Sequence, residues 1–273
     1  MARRARVDAE LVRRGLARSR EHATELVGQG RVLVDGWVAA KPATAVEAGA
    51  ALRVTEVDDE PHWASRGARK LLGALDTFTE VGVEATRCLD AGASTGGFTD
   101  VLLARGAREV VAVDVGYGQL VWRLQSDERV RVHDRTNARA LTPEAISGEV
   151  DLVVSDLSFI SLRLVLGALA ACTRPGGHLL PMVKPQFEVG KERVGAGGVV
   201  RDPQLRADAV TAVATAAAGH GLCTRGVVAS PLPGPSGNVE FFLWLTRDDA
   251  AAAAQDPDVV ESMVRAAVAE GPA

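Results

Sequence analysis

A glycine-rich stretch between residues 88 and 100 has the residue types of a loop that holds a cofactor. The apolar strand end Cys88-Leu-Asp-Ala leads to Gly92, Gly96 and Gly97, where a helix is predicted to begin. Glycines permit a tight turn and the close approach of a ligand, and the free N–H groups of the helix would point into the same crevice. About 20 residues further on, a second apolar run ends in Asp114, from which a carboxylate can bind both hydroxyls of a ribose. The pattern predicts a nucleoside site. Its glycine spacing differs from the G-x-G-x-x-G of nicotinamide-binding proteins, and a plain strand and loop of a doubly wound protein is the alternative.

Two oppositely charged residues follow later apolar runs. Asp156 comes after the run 151–155, and Lys184 comes after the run 178–183. The working residues of an open parallel sheet gather at the carboxyl ends of its strands, so we expect both side chains near the glycine loop. Burying such charges is costly. They therefore either form a structural ion pair or belong to an active site.

The elements that would position these residues alternate between strands and helices from residue 86 to residue 246. Such alternation predicts an α/β domain with a doubly wound, Rossmann-like parallel sheet covered on both faces. The last two runs, 225–230 and 239–245, are joined by a segment rich in proline and glycine without a helix. The sheet should therefore end in an antiparallel hairpin. In this respect it is similar to the sheets of S-adenosylmethionine methyltransferases rather than to those of nicotinamide-binding domains.

Residues 7–54 have a separate pattern, typical of a small α+β module. Two short helices are predicted first, the second capped by Ser19, and then strands joined by the hairpin signal Asp35-Gly36. From Met1 to Lys41 nine basic residues face five acidic ones, although the whole chain has a net charge of −4. The basic excess predicts a nucleic-acid surface, and a solvated arginine-rich helical face is the alternative.

Composition narrows the class of protein. The chain has 273 residues, 47% of them hydrophobic and 24% charged, as in soluble globular proteins. No apolar run approaches the roughly 20 residues of a spanning helix, and no apolar signal core is present, so we expect a cytoplasmic protein without a membrane segment. Three cysteines without C-x-x-C spacing indicate neither disulfide bonds nor a zinc site, and no metal is expected.

The N-terminal module resembles RNA-binding modules of the ribosomal-protein S4 type. The resemblance rests on Arg6-Val-Asp8-x-x-Leu11, Leu16-Ala-x-Ser19-Arg20 and Gly30-x-Val32-x-Val34-x-Gly36. Members of that family place arginines of their two helices against RNA. The resemblance implies RNA contacts by five residues of this module: Arg4, Arg6, Arg18, Arg20 and Lys41.

The remainder resembles FtsJ-like ribose 2′-O-methyltransferases. Lys70, Asp156, Lys184 and Glu240 occur in the order of the K-D-K-E tetrad of that class. With the RNA module in front, residues 6–246 resemble the TlyA family of ribosomal-RNA methyltransferases, also called haemolysins. The resemblance implies S-adenosylmethionine as cofactor and cytidines of both ribosomal RNAs as substrate. It also implies that Lys184 acts as base or stabilises the developing alkoxide, that Asp156 orients Lys184, and that Glu240 holds the lysines and the 2′-hydroxyl in register.

The same resemblance assigns the remaining site residues. The implied cofactor-binding set comprises Asp90, Gly92, Ala93, Ser94, Thr95, Gly96, Gly97, Thr99, Asp114, Val115, Asp134, Asn137 and Asp156. Three further residues at the catalytic edge are expected to contact RNA: Arg135, Phe159 and Ser236. Phe159 is an aromatic side chain that could stack on an everted base.

The predicted organisation is an RNA-binding domain (1–58), a linker (59–66), a methyltransferase domain (67–246) and an acidic, alanine-rich tail (247–273) that is either frayed or a surface helix. We expect a monomer that works on ribosomal subunits. A non-catalytic ribosome-binding factor and a membrane-lytic haemolysin are the two alternatives from other functional classes.

Overall fold

The change from helical to two-residue periodicity near residue 32 separates two helices from a set of short strands. A computed structural model describes residues 4–28, 30–47, 49–55, 63–234 and 236–271. The chain divides into two units, Met1–His62 and Trp63–Ala273. Residues 59–62 of the predicted linker lie outside the described residues, whereas Trp63 packs against the core of the second unit.

The first unit is the α+β module that the pattern predicts. Its described elements are β1 (Arg4–Arg6), α1 (Val7–Arg13), α2 (Arg20–Gly28), β2 (Val32–Val34), β3 (Trp37–Val38), β4 (Ala45–Glu47) and β5 (Leu52–Val54). The Ser19 hydroxyl accepts a hydrogen bond from the His22 N–H at 3.1 Å, which confirms the predicted cap. Asp35 and Gly36 have φ values of 50° and 88°, as a two-residue hairpin between right-twisted strands requires. The two helices pack over a small core with Val7, Leu11, Leu26 and Val32 at its centre.

A seven-stranded sheet forms the middle of the second unit. Its strands are β6 (Arg87–Ala91), β7 (Glu109–Val113), β8 (Val130–His133), β9 (Val150–Ser155), β10 (Thr173–Val183), β11 (Leu222–Ala229) and β12 (Phe241–Arg247). The spatial order is β11-β12-β10-β9-β6-β7-β8. Of these seven strands β12 alone runs opposite to the other six, which confirms the expected reversal of the last strand.

Helices cover both faces of this sheet because the strands are apolar on both sides. The helices are α3 (Gly67–Thr77), α4 (Gly97–Ala104), α5 (Trp122–Gln125), α6 (Leu166–Cys172), α7 (Pro185–Glu188), α8 (Pro203–Ala218), α9 (Asp249–Ala253) and α10 (Pro257–Glu270). Successive strand residues join opposite clusters: Cys88 belongs to the cluster with α3 and α4, whereas Leu89 belongs to the cluster with α6, α8 and α10. This alternation is the two-residue period of a strand buried on both faces.

The helix α10 near the end of the chain packs in the apolar cluster that also contains α6 and α8. Over Pro257–Glu270 the structure has a helix rather than a frayed end, and Val260, Val264 and Ala267 are buried on one side of it. Their spacing of four and three residues places them on the same helical face.

Candidate active site

The loop between β6 and α4 passes close to the loop that follows β9. Gly92 has a φ of 92°, and a Cβ atom at this position would lie 2.8 Å from the carbonyl oxygen of Asp156. Glycine is therefore required both by the left-handed backbone and by this contact. Two residues on, the Ser94 N–H donates to Oδ2 of Asp114 at 2.9 Å, which joins the loop to the end of β7. The glycine loop, Asp114 and Asp156 thus meet at one edge of the sheet.

One cavity of about 470 Å³ lies beside Asp114. Polar groups enter it from Ser94, Asp114, Gln119, Thr136 and Asn137, and apolar side chains enter it from Val113, Val115, Leu157, Phe159 and Ile160. The Asp114 carboxylate also accepts the Gly116 N–H at 2.7 Å, so its orientation is set by backbone donors on both of its oxygens. Apolar walls next to a fixed carboxylate suit a base and its ribose.

A second cavity of about 280 Å³ adjoins the first. Both are lined by Gly92, Ser94, Asp156 and Ser158. The second cavity is also lined by Gly67 and Gly97, the first residues of α3 and α4, and by the cationic residues Arg66, Lys70 and Lys184. Two helix N-termini and the Arg66 guanidinium make this end of the site suitable for a carboxylate.

Lys184 lines the second cavity and is held there by Asp156 and Ser158, which line both cavities. Its Nζ lies 2.5 Å from Oδ1 of Asp156 and donates to Oγ of Ser158 at 2.8 Å. The neighbouring strands β9 and β10 bring these residues together, since Ser155 is paired with Pro181 in the sheet. Lys184 is only 8% exposed.

Lys70 and Glu240 form a second ion pair that is more deeply buried. Lys70 lies on α3 and Glu240 directly precedes β12, and their side chains are joined by a hydrogen bond between Nζ and Oε2. They are 4% and 1% exposed. Lys70 lines the same cavity as Asp156 and Lys184, so the four charged residues form one cluster.

Comparison with known proteins identifies the family. The family model described as FtsJ-like methyltransferase matches residues 63–247, and the S4 domain model matches residues 5–52. The 16S/23S rRNA (cytidine-2′-O)-methyltransferase TlyA of Mycobacterium tuberculosis is 63% identical over 273 residues, all of both chains.

The chain belongs to the TlyA family of FtsJ-like methyltransferases.

Two further TlyA-family relatives agree with this assignment. YqxC of Bacillus subtilis is 42% identical over 89% of this chain and 86% of its own length. A solved structure from Streptococcus thermophilus, designated a haemolysin, is 37% identical with a TM-score of 0.76, covering 99% of this chain and 98% of that one. Within the described residues of our chain, no helix is long and apolar enough to cross a membrane.

Most of the cofactor-binding residues implied by the TlyA resemblance line the two cavities. Those that do are Gly92, Ala93, Ser94, Thr95, Gly97, Asp114, Val115, Asn137 and Asp156. Asp90, Gly96, Thr99 and Asp134 line neither cavity and instead support the loops. Asp134 accepts the Gly118 N–H at 2.9 Å, and a Cβ at Gly96 would collide with Leu120 and Leu124.

Asp90 lies behind the glycine loop, fully buried. Its Oδ2 accepts hydrogen bonds from the N–H and the hydroxyl of Thr99 at 2.8 and 2.7 Å, which fixes the first turn of α4. Its Oδ1 is buried without a hydrogen-bond partner among the described residues. Burial raises the pKa of Asp90 to about 7, against the opposing effect of the Thr99 bonds.

Several residues at the site were not predicted from sequence. Ser65 and Arg66, just before α3, and Gly67, its first residue, line the second cavity, and Gln119 and Ser158 line the first. Glu188, the last residue of α7, joins this helix to the segment that follows β9. Its carboxylate accepts hydrogen bonds from the Ser161 hydroxyl at 2.6 Å and the Leu162 N–H at 2.7 Å. Ser158 could have been identified from the sequence because it is a polar residue two positions after Asp156.

The three RNA-contact candidates of the second unit are on its surface. Phe159 is 91% exposed with a φ of 63°, and its ring centroid lies 5.3 Å from that of Phe187. The Arg135 guanidinium stacks over the Tyr117 ring at 4.4 Å, and Ser236 is exposed.

The five candidates of the S4 unit have different environments. Arg4 pairs with Glu47 at 3.4 Å, Arg6 and Arg20 both pair with Asp8, and Arg18 and Lys41 are exposed. Within the described residues, no group of three or more His, Cys, Asp and Glu side chains is arranged to hold a metal ion.

Proposed function

We propose that this chain transfers a methyl group from S-adenosylmethionine to the 2′-hydroxyl of cytidines in 16S and 23S ribosomal RNA. The observation that carries the proposal is the pairing of Lys184 with Asp156 and of Lys70 with Glu240 beside the two adjoining cavities. The relative from Mycobacterium tuberculosis, identical at 63% of positions over its full length, is named for this reaction.

The two cavities fit the parts of S-adenosylmethionine. The cavity beside Asp114 offers a carboxylate for the ribose hydroxyls and apolar walls, including Val115 and Leu157, for the adenine. The smaller cavity offers Arg66 and the first residues of α3 and α4 for the methionine carboxylate. Gly92 and Asp156 line both cavities, so one ligand can extend from the first cavity into the second. When bound, this cofactor supplies an electrophilic methyl group on a positively charged sulfur.

Lys184 is the residue that acts on the substrate hydroxyl. It lines the smaller cavity, and the carboxylate of Asp156, which lines both cavities, fixes the direction of its Nζ. From this position Nζ in its neutral form can take up the hydroxyl proton, and as an ammonium ion it can stabilise the alkoxide that forms as the proton leaves. Ser158 gives Nζ a second contact, which leaves fewer orientations open to it.

Lys70 and Glu240 complete the charge pattern around this junction. Because they are paired with each other and buried, they present a fixed field rather than mobile charges. A second cation near the reacting oxygen stabilises its developing negative charge without any reorganisation. The tetrad therefore acts mainly by positioning and electrostatics.

The S4 unit supplies affinity for ribosomal RNA. Its arginines provide the cationic contacts that bind phosphates, and Phe159 at the catalytic edge of the other unit can stack on a base. All four tetrad residues and both cavities belong to one chain, so we propose a monomer acting on ribosomal subunits in the cytoplasm.

The test is transfer of a tritiated methyl group to purified 30S and 50S subunits. We expect label in both RNAs and, after digestion to nucleosides, recovery of that label as 2′-O-methylcytidine. Label on a base, on another nucleoside or on neither subunit would overturn the proposal.

A further inference from the structure

Asp8 in the first unit binds two arginines that come from different elements. Its Oδ2 accepts the Nη2 groups of Arg6, at 2.8 Å, and of Arg20, at 3.1 Å. Arg6 also donates its Nε to Oδ1 at 3.1 Å. Arg6 ends β1 and Arg20 begins α2, so a single carboxylate brings together two cations that are 14 positions apart in the chain.

The carboxylate is itself fixed, whereas the two guanidinium groups remain accessible. Asp8 is 3% exposed and accepts the Ala9 N–H at 2.7 Å. The side chains of Arg6 and Arg20 are 53% and 61% exposed. The Arg6 and Arg20 guanidinium groups lower the pKa of Asp8 to about 2 against the effect of burial, so the carboxylate is ionised in any neutral buffer.

A second carboxylate in α1, Glu10, also binds two arginines and serves as a comparison for the Asp8 cluster. Glu10 pairs with Arg13 at 2.6 Å and with Arg14 at 2.7 Å. Arg14 is directed inward, since its side chain is 24% exposed and donates to the carbonyl of Ala50 at 2.7 Å. The side chain of Arg13 is 65% exposed, so the Glu10 cluster has one arginine that faces solvent, whereas both arginines on Asp8 do. Each guanidinium has five N–H donors in a planar fork, and the bonds to Asp8 use only some of them.

We propose that Asp8 is a positioning residue that builds, with Arg6 and Arg20, a preformed site for the phosphodiester backbone of RNA. This inference rests on the proposed function and adds to it the residue that organises the contact. Two guanidinium groups that are already close and oriented lose little side-chain entropy when a phosphate binds. Without the carboxylate between them, their repulsion would separate them.

The effect of removing the carboxylate distinguishes positioning from charge. Asp8→Asn makes the unit more positive by one charge, and charge alone would tighten its binding to RNA. If Asp8 positions the arginines, the same variant binds more weakly. We expect the Kd of the full-length chain for purified 50S subunits to rise roughly tenfold at constant salt, a loss of about 1.4 kcal/mol.

Glu21→Gln is the matched control. Glu21 is exposed, lies next to Arg20 in the first turn of α2, and has no ion pair among those of the described residues. The substitution makes the same change of charge without touching the cluster, so its Kd should be unchanged or lower. In methyl transfer, Asp8→Asn should raise the KM for the subunit more than it lowers kcat, and Asp8→Glu should restore part of the loss.

Arg20→Lys keeps the test decisive if Asp8→Asn fails to fold, as judged by circular dichroism and thermal unfolding. Lysine keeps the charge but lacks the planar fork, so a preformed site predicts several-fold weaker binding. Binding by Asp8→Asn or Arg20→Lys that equals or exceeds wild type would overturn the inference. That result, with wild-type methylation intact, leaves the proposed function standing. If the wild-type reaction yields no 2′-O-methylcytidine, the proposed function itself is refuted.

Discussion

Lys184 and Asp156 lie with Nζ and Oδ1 2.5 Å apart at the ends of two neighbouring strands, β10 and β9. The sheet pairs Ser155, the last residue of β9, with Pro181 of β10, so the backbone hydrogen bonds between these strands bring Asp156 and Lys184 close together. Lys184 is almost fully buried, whereas the side chain of Asp156 is 26% exposed towards the cavities that it lines. The pair therefore orients a cation towards a space that a substrate can enter.

Lys184→Ala should lower the rate of methyl transfer by about a thousandfold, because it removes the group that accepts the proton or stabilises the alkoxide. The affinity for S-adenosylmethionine should stay within a few-fold of wild type. Single-turnover transfer to 50S subunits measures the first quantity, and titration calorimetry measures the second. A variant that keeps its rate would exclude Lys184 from the chemistry.

Substitutions at the buried Lys70–Glu240 pair should affect the stability of the fold and the rate of methyl transfer differently. Glu240→Leu leaves Lys70 buried without its partner, which should lower the free energy of unfolding by about 3–5 kcal/mol. Adding Lys70→Met removes the orphaned charge and should recover most of that stability while methyl transfer stays absent. Urea unfolding and methyl transfer should be measured on both variants. A double variant as unstable as Glu240→Leu would contradict this account.

The strand ends and the glycine loop were predictable from sequence because they depend on local patterns. Apolar runs located β6, β7, β9 and β10, and the topology of parallel sheets then placed Asp114, Asp156 and Lys184 at one edge. The sequence did not predict that the Asp90 side chain lies behind the glycine loop and contacts α4 rather than the cofactor cavities. Asp90 shares a strand face with Cys88, which packs in the cluster of α4, so its carboxylate meets Thr99 at the start of that helix.

Other residues of the site depend on how distant segments pack. Arg66 lines the second cavity only because α3 packs beside α4. The residues Ser65-Arg66-Gly67 contain no pattern that predicts the packing of α3 against α4. The same holds for Asp8: Arg6 is its neighbour in the chain, but Arg20 approaches it only when α1 and α2 have packed together.

Asp90→Asn should change the pH dependence of stability. Burial raises the pKa of Asp90 from 3.8 to about 7 in the folded chain, so its contribution is fully present below about pH 4 and is lost as the pH rises to about 7. Relative to the variant, wild type should lose about 1.4 kcal/mol of unfolding free energy per pH unit across this range and none above it. Urea unfolding of both proteins between pH 5 and pH 8 gives the difference, in which the other titrating groups cancel. A difference that does not vary with pH would show that Asp90 is already ionised at pH 5.

Gly92→Ala should weaken the binding of S-adenosylmethionine at least tenfold. The new methyl group would lie 2.8 Å from the backbone oxygen of Asp156 at a φ of 92°, so the loop must move away from β9. Gly82→Ala is the control, because a Cβ at Gly82 has no atom within 4 Å and its φ is not left-handed. Calorimetry on the two variants should show normal affinity for Gly82→Ala alone. Equal affinities would mean that the loop adjusts without disturbing the cofactor site.

Phe159→Ala should lower methyl transfer to the 50S subunit more than it lowers the affinity for S-adenosylmethionine, since the ring also lines the cavity beside Asp114. The ring is 91% exposed and rests against Phe187, and its backbone has a φ of 63°, which is costly for a residue other than glycine. An exposed aromatic ring held in this way at the edge of the active site is suited to stack on a base, a contact typically worth about 1–3 kcal/mol. We therefore expect a loss of roughly 10- to 100-fold in kcat/KM for the 50S subunit, and near-normal activity for Phe159→Tyr, which keeps the ring. Loss of activity in the tyrosine variant as well, or its retention in the alanine variant, would exclude stacking by this residue.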